Sequence, residues 1–152
     1  MYRSAEDMGI DPKKILKDFF GYEKNYTEDS GSRYYVMIFN DIVLKVPRKD
    51  KPMSEERLNR ITEVHNYFTF LPEVMPMVPF RDYFVMPRCP GVHGNKLSGD
   101  NLKRAYFLVD RVIRTIKDQG YFPDDIKVGN STYDEKTDRL YVFDFHKVVK
   151  EE

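Results

Sequence analysis

The chain has 152 residues, and 25 Lys plus Arg are balanced by 25 Asp plus Glu, so its net charge is zero. Its 41% hydrophobic content, with 11 Tyr and 11 Phe, argues for a packed core and against disorder. Neutrality removes the electrostatic case for nucleic acid or an anionic membrane as the main partner. The basic residues Lys45, Arg48, Lys49 and Lys51 could form a local patch, although a solvated loop is the simpler reading. A single cysteine, Cys89, excludes an internal disulfide and suits a reducing compartment. The N-terminus has no apolar h-region, and no run approaches the roughly 18 apolar residues of a membrane span. The expectation is one cytoplasmic domain over 1–152.

Asp11-Pro12 predicts a helix from Pro12 to about Phe20, with Asp11 as cap, Ile15, Leu16, Phe19 and Phe20 on one face, and Gly21 as stop. Tyr26 to Asn40 and Ile42 to Val46 read as strand-like runs joined by a tight turn at Asn40-Asp41. Ser54 caps a second helix, with Glu55 and Glu56 in its first turn and Leu58, Ile61, His65 and Phe68 on its inner face. Pro72 ends it. Met77 to Phe80 and Tyr83 to Met86 read as two short strands, followed by a Pro- and Gly-containing linker, Met86 to Gly91. Val92 to Gly99 reads as a polar loop carrying His93. Asp100 is expected to cap a long helix to Gln119, with Leu102, Tyr106, Val109, Ile113 and Ile116 as its core stripe and Gly120 as stop. Ser131 to Tyr133 and Leu140 to Phe145 then frame a polar turn, Asp134 to Asp138, in a second hairpin.

The chemistry-bearing residues concentrate near the C-terminus. Asp125-Ile-Lys127-Val-Gly-Asn130 is followed by Asp144-Phe145 at the end of an apolar run. This spacing resembles the H-R-D-L-x-x-x-N and D-F-G segments of protein kinases. Val43-Leu-Lys45 resembles the V-A-I-K strand, and Gly31 and Val36 match two positions of the Gly-rich loop G-x-G-x-x-G-x-V. Loop glycine, strand lysine, helix glutamate, hinge, base, asparagine and metal aspartate follow in the kinase order. On that resemblance the chain is an α+β, two-lobed minimal protein-kinase-like fold. It would have an antiparallel N-lobe sheet (about 1–88) and a reduced helical C-lobe (about 89–152).

The resemblance implies ATP and Mg²⁺ as cofactors, with Asp125 as base and Lys127 beside the transferred group. Asn130 and Asp144 would be metal ligands. Lys45 would hold phosphates and pair with Glu63, Glu56 being the alternative. Gly31 and Val36 would cover the nucleotide, Met86 would guard the pocket, and Arg88 or Cys89 would supply the hinge N–H that Pro87 and Pro90 lack. The implied activity is phosphoryl transfer to protein Ser/Thr, the chain itself included.

Departures from the pattern open other readings. Pro123-Asp124 replaces His-Arg before the base, His146 replaces the glycine after Asp144-Phe145, and only six residues follow His146. The peptide-binding helices and activation segment of larger kinases are therefore expected to be missing, with substrate presented by a partner protein or by a second copy in a homodimer. A pseudokinase acting as a protein-binding module is the main alternative. An unrelated α+β domain with a coincidental ordering is the third. Three scattered histidines and one cysteine make no zinc site.

Overall fold

The computed structural model describes residues 4–30 and 33–151, so Gly31 lies outside the described residues. The chain divides into two compact units. One holds the described parts of Met1–Leu58 with Met77–Arg88, and the other those of Cys89–Glu152 with Asn59–Pro76. Among the described residues no helix is long and apolar enough to cross a membrane.

The first unit is an antiparallel five-stranded sheet with one helix. Helix α1 (Pro12–Phe20) is capped by the Asp11 carboxylate, which accepts from the Lys14 N–H, and ends at Gly21 in the left-handed region, φ 82°. Strands β1 (Thr27–Ser30), β2 (Tyr34–Ile38), β3 (Ile42–Pro47), β4 (Val78–Phe80) and β5 (Tyr83–Pro87) lie in the order β1-β2-β3-β5-β4. Alternation sorts their side chains between two faces. Tyr35, Met37, Leu44, Val46 and Tyr83 bury one face with Ile15 and Leu16 of α1, forming that unit's core. The opposite face carries Val36, Lys45 and Phe84, which are direct cross-strand partners.

In the second unit, helix α2 (Glu55–Tyr67), whose first turn belongs to the other unit, is followed by a 3-10 turn at Phe68–Phe70. The Ser54 hydroxyl accepts from the Arg57 N–H at 3.1 Å, the expected cap. Asn59–Pro76 groups with this unit because Phe68 and Val74 belong to the core around helix α3 (Gly99–Asp118). Strands β6 (Val92–His93), β8 (Ser131–Asp134) and β9 (Arg139–Val142) form one sheet, while β7 (Tyr121–Pro123) pairs with β10 (Val148–Lys150). The polar loop expected at Val92–Gly99 thus contains β6, held by the register Val92↔Tyr133.

Two expectations for α3 are corrected. The helix begins at Gly99 with Ser98 in the cap position, so Asp100 lies inside the first turn, where a carboxylate complements the dipole. Tyr106 is 60% exposed, because the buried stripe runs through Ala105, Leu108, Val109, Val112 and Ile116. The polarity around Tyr106 (Lys103, Arg104, Asp110) turns its side of the helix to water.

The β8–β9 hairpin is fastened to α3 by Arg104, whose Nε and Nη2 donate to Asp138 at 3.0 and 2.8 Å; the Tyr133 hydroxyl donates to the same carboxylate at 2.6 Å. Arg104 first, then Tyr133, pulls the Asp138 pKa from 3.8 down to about 2. A depressed carboxyl pKa contributes stability above the unfolded value and loses it as pH falls through the folded one. Asp138→Asn should therefore melt below the wild type at pH 5. That gap should close between about pH 4 and pH 2, as followed by thermal unfolding across pH. A gap that persists undiminished at pH 2 would contradict the assignment.

Candidate functional site

Asp125 sits in the left-handed region, φ 62°, on the loop after β7. Such a backbone suits Asp or Asn better than most residues. A 3-10 turn at Val128–Asn130 brings the chain back, and the Asn130 Nδ2 donates to the Asp125 carbonyl at 2.9 Å. That bond fixes the amide orientation and leaves Asn130 Oδ1 without a donor among the described residues. The Phe143 N–H donates to the Asn130 carbonyl at 3.3 Å, which ties the strand leading to Asp144 to the same turn. Asp125, Asn130 and Asp144 are thereby gathered within one unit.

Two elements hold this turn in place. Gly94 approaches it so closely that a Cβ there would fall 1.7 Å from the Val128 carbonyl oxygen. The buried Ser131 hydroxyl donates to that same oxygen at 2.7 Å. Phe145, 2% exposed, anchors the other side, stacking on Phe68 at 5.9 Å and meeting the His65 ring edge-on at 4.9 Å. His65 is itself fixed by Nε2 at 2.7 Å from the Met75 carbonyl.

The electrostatics centre on Asp125. Lys127 Nζ lies 3.8 Å from its Oδ1, and Lys147 Nζ and His146 Nε2 lie 3.5 and 3.6 Å from its Oδ2. The other ring nitrogen of His146, Nδ1, hydrogen-bonds Asp144 Oδ1. With its side chain only 9% exposed, this imidazole links the two carboxylates. Lys147 was not visible as a site residue in the sequence, where it reads as one more charge on an exposed strand approach. Nothing in its spacing marks it.

The remaining predicted residues divide between the units. Val36 and Lys45 are direct partners across β2–β3, and Met86, opposite Val43 across β3–β5, shares their face. Lys45 Nζ sits 5.6 Å from the centroid of the Tyr34 ring. The Arg88 N–H donates to the Asp41 carbonyl at 2.9 Å and its Nη1 to the Phe39 carbonyl at 3.2 Å, so its backbone donor is already engaged. Cys89 is half-buried. Glu63 and Glu56 are both exposed on α2.

Hard cations prefer oxygen donors, and Mg²⁺ keeps part of its shell from phosphates and water. Asn130 Oδ1 and the Asp144 carboxylate meet that chemistry, with His146 already sharing the carboxylate.

No family model and no curated protein matches this sequence. Solved structures do. The 2.2 Å structure of WbdD matches 86% of this chain at 19% identity with a TM-score of 0.53. The complex of WbdD with the kinase inhibitor LY294002 matches the same share at 16% identity and a TM-score of 0.51. This chain spans only 34% of either WbdD chain, about a third of its length. At such identity the likeness concerns the fold alone: an α+β chain with a five-stranded antiparallel N-terminal sheet, consistent with a minimal kinase-like fold.

Proposed function

We propose that this chain is a compact phosphotransferase that uses ATP and Mg²⁺, with a protein Ser/Thr hydroxyl as acceptor. The observation that carries this reading is the gathering of Asp125, Asn130 and Asp144 within one unit, around a braced turn to which the Phe143 N–H is tied. When bound, ATP with Mg²⁺ supplies the transferable phosphoryl group and neutralises its charge. Asp125 orients the acceptor hydroxyl and takes its proton at the carboxylate. Lys127 and Lys147 add positive charge beside it. Asn130 Oδ1 and Asp144 are the metal-holding oxygens. In the first unit, Lys45 is the phosphate-holding residue, with Glu56 as the carboxylate that same unit offers. Val36 and Met86, on the lysine's face of the sheet, complete that unit's nucleotide contacts, the Arg88 N–H being already committed to Asp41.

One observation favours a second reading, a catalytically weak or inactive pseudokinase acting as a protein-binding module. The glycine position after Asp144-Phe145 is filled by His146, whose ring is bonded to the Asp144 carboxylate. A metal must then share or displace that contact. The test is transfer of label from γ-labelled ATP in Mg²⁺ by the purified chain, beside Asp144→Asn. Label incorporated by the wild type and lost by at least about 100-fold in the variant supports the transferase. Equal incorporation by both removes Asp144 from the chemistry, and none by either leaves the binding module as the reading.

A further inference from the structure

His146 touches both acids of the candidate centre with one ring. Its Nδ1 hydrogen-bonds Asp144 Oδ1, and its Nε2 lies 3.6 Å from Asp125 Oδ2. A carboxylate only accepts, so Nδ1 carries the proton of that bond. The His146 backbone N–H reaches the same Asp144 oxygen at 3.4 Å, a turn that a short acidic side chain makes with the amide two residues on. Asp144 Oδ1 therefore already receives a donor for each of its lone pairs, both from one residue. The Asp144 and Asp125 side chains keep 24% and 27% of their surface exposed, so both are reachable from solvent. The imidazole that links them is 9% exposed.

The backbone that carries this ring is fixed on both sides. Phe145 is buried against Phe68 and His65, and the Val148 N–H donates to the Phe145 carbonyl at 3.1 Å. Val148 in turn opens β10, opposite Pro123 of β7. Shifting the segment would break all of these contacts. Turning the His146 side chain into another rotamer gives up only the contacts of the ring. A divalent ion at Asp144 Oδ1 would meet an N–H already aimed at that oxygen, and the two positive partners repel. The ring must leave for the ion to enter.

We propose that His146 is a latch on the cation site: its ring ties Asp144 to Asp125 in the closed centre, and a divalent ion binds Asp144 only when the ring rotates away. The proposal rests on the reading of Asp144 as a metal-holding residue. It differs from a supporting role in the sign of its effect. Loss of a supporting contact weakens ion binding, whereas loss of a latch strengthens it.

The experiment is titration of the full chain with Mn²⁺, an oxygen-preferring ion like Mg²⁺, without nucleotide and with the free ion read by electron paramagnetic resonance. His146→Ala should bind Mn²⁺ roughly ten- to hundredfold more tightly than the wild type, the range for one hydrogen bond to a charged group. Asp144→Asn should abolish the binding, alone or combined with His146→Ala. Deleting a ring this buried can cost stability, so thermal melts accompany the titration and a second measurement uses the wild-type chain. There, Mn²⁺ should speed the modification of His146 by diethyl pyrocarbonate, located by mass spectrometry, at least about threefold. His65 and His93 should be unaffected, and the ion should have no effect on His146 in Asp144→Asn. Equal or weaker Mn²⁺ binding by a folded His146→Ala, or modification of His146 indifferent to the ion, overturns the latch while leaving Asp144 a metal ligand. Mn²⁺ binding that survives Asp144→Asn, or none by wild type and His146→Ala alike, overturns the metal-holding reading and the latch with it.

Discussion

Gly94→Ala should destabilise the protein by on the order of 3 kcal/mol or more, the upper range for forcing an atom into a packed interior. The added Cβ would stand 1.7 Å from the Val128 carbonyl oxygen, 2.6 Å from its carbon and 2.8 Å from Cγ1. Two of those three atoms are backbone, so no rotamer change relieves the overlap. The segments must separate, and the Val128 carbonyl, acceptor for the Ser131 hydroxyl, must move with them. Asn130 lies two residues further on, so the loss should include the geometry of the turn that holds Asp125. Gly129→Ala is the matched control: its nearest contact is the Asn95 side-chain oxygen at 3.1 Å, which can turn away. Urea unfolding of both variants decides the matter. If Gly94→Ala unfolds at the same urea concentration as Gly129→Ala, the close approach is not a constraint on this fold.

Gly94 also marks the limit of what the sequence discloses. Its role depends on Val128, thirty-four residues away, and the local pattern Val92–Gly99 reads only as polar loop. Features whose cause is local were legible: the Asp11 and Ser54 caps, the Gly21 stop and the Asn40-Asp41 turn. So was the D-x-x-x-x-N spacing, because a short turn must bring its ends together. Features set by packing were not. The register of Tyr106 on α3 depends on which face meets the core, and two neighbouring stripes of apolar residues compete for it. Strands β7 and β10 are three residues each, too short for alternation to register. His146 stood out as a departure from the kinase pattern, but its link to both Asp144 and Asp125 is tertiary. The Lys147 contact with Asp125 is likewise invisible in spacing.

Asp125→Asn should lower kcat for phosphoryl transfer by about 10²–10⁴-fold, the range expected when a placed general base is lost, with the KM for ATP little changed. The substitution isolates the carboxylate. Asparagine tolerates the left-handed backbone that Asp125 adopts at φ 62°, so no strain is introduced. The brace from Asn130 Nδ2 reaches the backbone carbonyl of Asp125, so it survives the change. The charge contacts with Lys127 at 3.8 Å and Lys147 at 3.5 Å involve side chains 61% and 43% exposed, and such pairs contribute roughly 0–1 kcal/mol, while His146 Nε2, 3.6 Å from Oδ2, still meets the polar head of the amide. A variant that melts within a few degrees of the wild type yet transfers phosphate far more slowly therefore reports chemistry and not folding. Asp125→Ala should fail differently, losing stability as well, because alanine meets the same φ without the side-chain polarity that suits it. Steady-state kinetics beside thermal unfolding separates the outcomes. Wild-type kcat in a well-folded Asp125→Asn would remove Asp125 as the base, and with it the role of Lys127 and Lys147 as its flanking charges.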